Sequence, residues 1–326
     1  IERMRQAGLN ADVRVLFSQP TLAALAAAIG SGREIEVPRN LIEVGCQHIT
    51  PQLLPLVELD QASIDRLVAT VPGGAANVQD IYPLAPLQEG ILYHHMSAGQ
   101  GDPYLLQSQM AFDSRVHLQA VIEALQQVVD RHDILRTSVH WDGLERPLQL
   151  VRRQAELPVQ ELLLDPAAGD VLEQLQQRFE TRRYRLDIRQ APLLQLVYAN
   201  DPLNRRIVAI LMFHHLALDH TAMAVVVEEM HALLQRGGEG LAAPVPYRNY
   251  VAQARLGVSE QEHEAFFRDM LGDIDEPTLP FGLQDVQGDG RDIEEAPLML
   301  AEALSRRLRE QARLLGVSAA SLMHLA

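Results

Sequence analysis

"IVAILMFHHLALDHTAMAVVVEEM" runs from Ile207 to Met230 and changes character twice. Ile207 to Phe213 is a continuous apolar run, suited to a buried strand and far too short to cross a bilayer. From Ala222 onward, "AMAVVVEEMHALLQR" reads as a helix. Between them lies "HHLALDH", with three of the chain's twelve histidines and an aspartate directly before the third. Loops at strand ends are where sites are commonly built. This stretch therefore sets the fold class and also marks where chemistry is to be sought.

On either side of this stretch, strands and helices alternate. "YLLQSQMAF" (Tyr104 to Phe112) reads as a strand, and "HLQAVIEALQQVVDRH" as an amphipathic helix with Val121, Leu125, Val128 and Val129 on one side. "ILRTSVHW" and "PLQLVRR" flank the turn-like "DGLER" as a hairpin. "DVLEQLQQRFETRRY" is a helix, and "APLLQLVYA" with "RRIVAILMF" makes a second hairpin across "NDPLN". Upstream, "YPLAPLQEGILYHHM" predicts a helix from about Pro86, and "LDQASIDRLVATVPGG" a short helix stopped by Pro72 and Gly73. In "FSQPTLAALAAAIG", Ser18 caps a helix, Pro20 fits its first turn and Gly30 follows its end. Residues 31–59 read as a linker, and the chain beyond Tyr247 as mainly helical. Helices layered on an antiparallel-rich sheet give an α/β (α+β) layer fold.

Composition narrows the function. The 326 residues are 47% hydrophobic, enough for a substantial core, and carry a net charge of −15. That charge argues against a nucleic-acid binder and against a polybasic membrane anchor. The single cysteine, Cys46, allows no internal disulfide, which points to a reducing, cytoplasmic compartment. Both ends fall within helical patterns, Ile1 at one and "SAASLMHLA" at the other, so the chain reads as an excerpt from a longer polypeptide.

Three readings compete for His214, His215, Asp219 and His220. All are residue types that bind zinc. Adjacent histidines in an extended segment, however, point in opposite directions, and the two-histidine helical spacing of metal sites is absent. The plain alternative is packing and hydrogen bonding at a strand end. The third reading is acid–base chemistry: an imidazole titrates near neutrality and can take a proton from an attacking amine or hydroxyl. Asp219 or Thr221 can also cap the following helix. A second pair, His94 and His95, stands in "YHHMSAGQGDPY". Alone it reads as a helix end with histidines at the negative pole of the dipole, followed by a Gly-rich turn.

These residues carry a resemblance. "FHHLALDH" is similar to the His-His-x-x-x-Asp-Gly signature of condensation domains of nonribosomal peptide synthetases. "YPLAPLQEGILYHH", "RHDILRTSVHW", "YRNYVAQAR" and "GVSAASLMHLA" resemble further segments of that family, in order, across residues 81–326. "IERMRQAGLNADVRVLFSQPTLAALAAAI" resembles the end of a peptidyl carrier domain. The resemblance implies residues 1–32 as carrier tail, 33–80 as linker and lead-in helix, 81–255 as the N-terminal lobe, and 256–326 as the start of an incomplete C-terminal lobe. The implied fold is two-lobed and chloramphenicol acetyltransferase-like, with a tunnel where an acceptor amine attacks a donor thioester.

It implies His215 as the main catalytic residue, with His214 beside it and Asp219 held in a salt bridge by Arg131 or Arg136. Substrates arrive on phosphopantetheine arms, whose attachment serine lies before Ile1, and the chain itself binds no cofactor and no metal. Upstream and downstream carriers and an adjacent adenylation domain are the implied partners. "HHMSAGQGD" matches the extended pattern of the dual epimerisation/condensation branch, making His94, His95, Gly101 and Asp102 epimerisation candidates, with Met96 replacing a branched residue. His220 stands where ordinary members have glycine, which implies a different loop or an extra polar group near the tunnel and agrees with that branch. The alternatives are an ordinary condensation domain and a non-catalytic carrier-docking module. The chain alone is expected to be inactive or weakly active.

Overall fold

A computed structural model describes residues 21–28, 35–282, 296 and 298–325. The chain divides into two units, residues 37–279 and a second one made of residues 1–36 and 280–326. Within the second, the described α-helices are Leu22–Ala28, Glu302–Leu315 and Ala319–Leu325. Ser18, Pro20 and Gly30, and most of the segment resembling a carrier tail, lie outside the described residues.

The larger unit begins with helix α1 (Gln61–Ala69), strand β1 (Val78–Pro83) and helix α2 (Pro86–Ser97). Strand β2 (Leu105–Phe112), helix α3 (Arg115–Arg131), and strands β3 (Thr137–His140), β4 (Leu148–Arg152) and β5 (Val159–Leu162) follow. Then come helix α4 (Val171–Arg178), strands β6 (Leu194–Asp201) and β7 (Arg206–His214), and helices α5 (His220–Arg236), α6 (Tyr247–Leu256) and α7 (Glu260–Leu271). Both expected hairpins form, β3 with β4 and β6 with β7, each antiparallel. The strands make two sheets, ordered β1-β4-β3 and β2-β7-β6-β5. Only β5 and β6 pair in parallel among the described strands.

The apolar run at Ile207 has a direct cause. On one face of β7, Ile207, Ala209, Leu211 and Phe213 pack with Leu125, Val128 and Val129 of α3 and Val226 of α5. On the other, Val208, Ile210 and Met212 pack with Val171 and Leu175 of α4 and with Phe179. A strand covered by helices on both sides needs apolar residues at every position, so the alternation of a half-exposed strand disappears. Full burial of side chains such as Ile210 and Met212 contributes about 1.5–3 kcal/mol each. β7 is thus the rigid element that carries His214 at its end.

Part of the segment read as a linker contributes to the core. Ile42, Ile49 and Leu54 join Ile64, Leu67 and Val71 around Val78, Ile81, Leu148 and Leu150 of the three-stranded sheet. Its Pro and Gly content hid this, because three separated apolar residues make no period. The boundary expected at residue 80 therefore divides a single hydrophobic cluster. The helix expected from Asp170 to Tyr184 is also shorter, ending at Arg178, where Phe179 turns into the core.

Because Ile49 is buried and Val44 is 85% exposed, alanine at the two positions should behave differently. Ile49→Ala is expected to lower the unfolding free energy by about 2–4 kcal/mol in chemical denaturation. Val44→Ala should stay within about 0.5 kcal/mol of the parent.

Candidate active site

Three segments converge at the end of β7. Helix α2 starts at Pro86, a residue whose fixed φ and missing N–H suit a first helical turn. Its Gln88 is buried and accepts the Ala85 N–H at 2.9 Å while its amide donates to the Leu216 carbonyl at 2.9 Å. One side chain therefore ties the start of α2 to the histidine loop. Sequence reasoning gives Gln88 no role. The only signal for it is a polar residue on the inward face of a helix.

At the other end of α2 the two histidines diverge. His94 is exposed and His95 is buried, as successive helical residues about 100° apart can be. Arg185 donates to the His95 and Ala98 carbonyls, satisfying the end of the helix. The chain then reverses at Gly101, whose φ of +66° lies in the left-handed region. A Cβ there would collide with the backbone oxygens of Arg182 and Thr181, the latter at 2.7 Å. Asp102 follows, its N–H donating to the Thr181 carbonyl at 2.8 Å.

The Asp102 side chain is buried between a histidine of each pair. Its Oδ2 accepts from His95 Nδ1 at 2.6 Å and from His214 Nε2 at 3.0 Å. Its Oδ1 accepts the Tyr104 N–H at 3.0 Å. Burial raises the carboxyl pKa, but the hydrogen bonds from His214 and His95 outweigh it and hold Asp102 well below the usual carboxylate range. Burial lowers the His214 pKa, against the pull of Asp102.

These bonds fix tautomers. The Leu216 N–H donates to His214 Nδ1 at 3.1 Å, so that nitrogen carries a lone pair and Nε2 carries the proton given to Asp102. The same fact tests a metal reading. His95, Asp102 and His214 have the residue types and proximity of a metal site, with ligand atoms within 4.8 Å of one another. A metal-bound imidazole donates from its other nitrogen to an acceptor. Here His214 Nδ1 faces a donor instead, so the set fits a hydrogen-bonded carboxylate and not a metal.

His215 faces elsewhere. Its Nδ1 lies 2.9 Å from the Leu218 carbonyl, which can only accept, so Nδ1 carries a proton, and in the neutral ring Nε2 is the nitrogen with the lone pair. Its own N–H donates to the Tyr104 carbonyl at 2.9 Å. His215, His94 and Tyr104 line one pocket of about 650 Å³, which Tyr247 and Tyr250 also border. The Tyr104 ring lies 5.9 Å from that of His94 and 6.2 Å from that of His215. The two double-histidine segments are thus divided by environment. His94 and His215 face a pocket, and His95 and His214 face a buried anion.

One expectation needs correction. Asp219 is not paired with Arg131 or Arg136. It is exposed and caps α5, accepting the Ala222 N–H at 2.7 Å, so the helix start satisfies it locally. Arg131 pairs with Glu229 at 3.0 Å, and His132 meets the same carboxylate at 2.9 Å, joining α3 to α5. Arg136 is buried and donates to the Val129, Arg152 and Arg153 carbonyls and to Gln79. His220 is exposed at the first position of α5 and does not line the pocket with its neighbours. Asp102 and His95 are buried and are not among the residues that line this pocket.

Comparison with known proteins supplies a family. A model described as "Condensation domain" matches residues 78–326. Malpinin synthetase of Mortierella alpina is 51% identical over 326 residues, covering 100% of this chain and 4% of the relative. Malpibaldin synthetase of the same organism is 48% identical over 326 residues, covering 100% of this chain and 6% of the relative. The chain thus spans a small fraction of these relatives' length. Among solved structures, the condensation domain from the monacolin K polyketide synthase superposes with a TM-score of 0.53 at 18% identity, covering 74% of this chain and 57% of that one. The likeness extends to an NRPS cyclization-docking bidomain from Sorangium cellulosum, with a TM-score of 0.52 at 17% identity over 71% of this chain and 47% of that one. The mixed α/β, chloramphenicol acetyltransferase-like architecture expected from the sequence is therefore the one adopted.

Gly101→Ala tests the chain reversal that delivers Asp102. Alanine meets both a disfavoured φ and a backbone collision. We expect a loss on the order of 1–3 kcal/mol in denaturant unfolding. Gly99→Ala, where an added Cβ meets nothing within 4 Å, should be close to neutral.

Proposed function

This chain belongs to the condensation-domain family, and we propose that it forms an amide bond between two carrier-tethered substrates of a nonribosomal peptide synthetase. The observation that carries the reading is His215, whose Nδ1–H is held by the Leu218 carbonyl while its Nε2 lone pair is left for the pocket. The acceptor amine attacks the donor thioester carbonyl. Nitrogen forms the new bond to carbon, and the departing N–H proton passes to His215 Nε2. The carbon–sulfur bond breaks, and the sulfur leaves as a thiol after taking that proton back. The products are an amide and a free carrier thiol, with no other reactant.

The partners in this reading are the upstream and downstream carriers and the adenylation domain that loads one of them, in the cytoplasm. The similarity to two synthetases supports it. The finer proposal is dual activity, in which the donor residue is epimerised before condensation. Inversion at the α carbon removes a proton from one face and returns one to the other, a task that two acid–base groups on one pocket can share. His94 and His215 are two such groups on one pocket, with Tyr104 close to both. One observation favours the ordinary condensation reading instead. His95 and Asp102, half of the motif that suggests inversion, are buried away from the pocket.

The test uses the complete synthetase, an L-residue on the upstream carrier and buffer in D2O. Dual activity predicts deuterium at the donor α carbon together with dipeptide. Dipeptide without deuterium leaves an ordinary condensation domain. Binding of both carriers without dipeptide leaves a docking module. His215→Ala should reduce amide formation by roughly 100-fold or more, and an unchanged rate would remove His215 from the chemistry.

A further inference from the structure

We infer that Asp102 is a positioning residue for His215, acting through the His214 ring that it holds in one tautomer. Three donors converge on Asp102: His95 Nδ1, His214 Nε2 and the Tyr104 N–H. A group meeting all three must accept at both oxygens and donate at neither, which only an ionised carboxylate does. An asparagine of the same shape fails. With its NH2 toward the rings it meets N–H donors, and turned over it meets the Tyr104 N–H.

The consequence runs through the loop. In the neutral His214 ring, giving Nε2–H to Asp102 leaves Nδ1 as the acceptor, and Nδ1 accepts the Leu216 N–H at 3.1 Å. That bond sets the first turn after β7. The turn also carries the Ala217 and Leu218 N–H groups onto the His214 carbonyl, at 3.0 and 3.3 Å. Leu218 in turn presents the carbonyl that fixes His215 Nδ1. If His214 takes the other tautomer, its Nδ1–H opposes the Leu216 N–H and the turn opens. The carbonyl orienting His215 then moves. His214 and Asp102 are fully buried, so no water substitutes for the lost partner.

Sequence spacing fits this role. His95 and Asp102 are seven residues apart, with the end of α2 and the left-handed Gly101 between them. That reversal brings the carboxylate back beneath the last turn of α2 and next to the end of β7, where Leu105 pairs with His214. The His-His and Gly-Asp parts of "HHMSAGQGD" therefore act as one device: the helix end supplies His95, the glycine the reversal, and the aspartate the anion.

Two readouts test the inference. The first needs no activity. With 15N-labelled histidine at pH 7, the unmodified protein should show His214 protonated at Nε2 and unprotonated at Nδ1. A His214 ring protonated at Nδ1, alone or with Nε2, overturns the inference, even where Asp102→Asn fails to fold. The second rests on the amide-forming reading. In the complete synthetase, Asp102→Asn should lower kcat on the order of 100-fold with little change in KM for either carrier, as expected when a reacting group is misplaced by about 1 Å. Ile64→Ala, in the distant core of α1, should lower thermal stability without lowering kcat when assayed well below its Tm. A parental kcat in Asp102→Asn overturns the inference. An inactive parent refutes the amide reading alone and leaves the tautomer result standing.

Discussion

The carboxylate of Asp102 is shut off from solvent and satisfied by three protein donors, and the surrounding chain is arranged to supply them. An ionised group so deeply placed is stable only when every lone pair that faces a donor is used. One donor comes from the end of α2, one from the end of β7 and one from the backbone leading into β2. Removing any of them leaves a buried charge short of a partner. The anion therefore holds the region together and also selects the ring states of the histidines around it.

Once that anion is in place, the division of the histidines follows. Neighbouring residues point apart both on a helix and at a strand end, so a buried partner for His95 and His214 turns His94 and His215 the other way. The pocket receives one ring from each pair, with Tyr104 near both. The ties that shape the pocket are mostly local or made to carbonyls: Gln88 to Leu216, His215 to Leu218, and Asp219 to the first turn of α5. Arg131 and Arg136 bind elements together away from this loop, one through Glu229 and the other through backbone oxygens.

Much of the fold was legible because its main elements obey simple patterns. β7 is an unbroken apolar run because helices cover both faces, and α2 starts at a proline followed by a buried glutamine. β5 was missed because three of its four residues are exposed and only Leu162 is buried, too little for a visible alternation. β1 was hidden by Asp80 and Pro83. The role of Ile42, Ile49 and Leu54 required knowing that the three-stranded sheet lacked cover on that side. At the site, the residue types and the presence of two histidine pairs were readable. Which ring of each pair met the carboxylate was not, because that depends on the reversal at Gly101 and on sheet register. The pairing expected for Asp219 failed because a helix start supplied a closer donor than either arginine.

Two of these four histidines face a pocket and two face a buried anion. Time-resolved modification of the native protein with diethyl pyrocarbonate, mapped by mass spectrometry, reads this directly. His94 and His215 should be modified in the folded state, while His95 and His214 stay protected until the protein unfolds. Modification of His95 or His214 at the rate of His94 would contradict the division, and with it the positioning of His215 by Asp102.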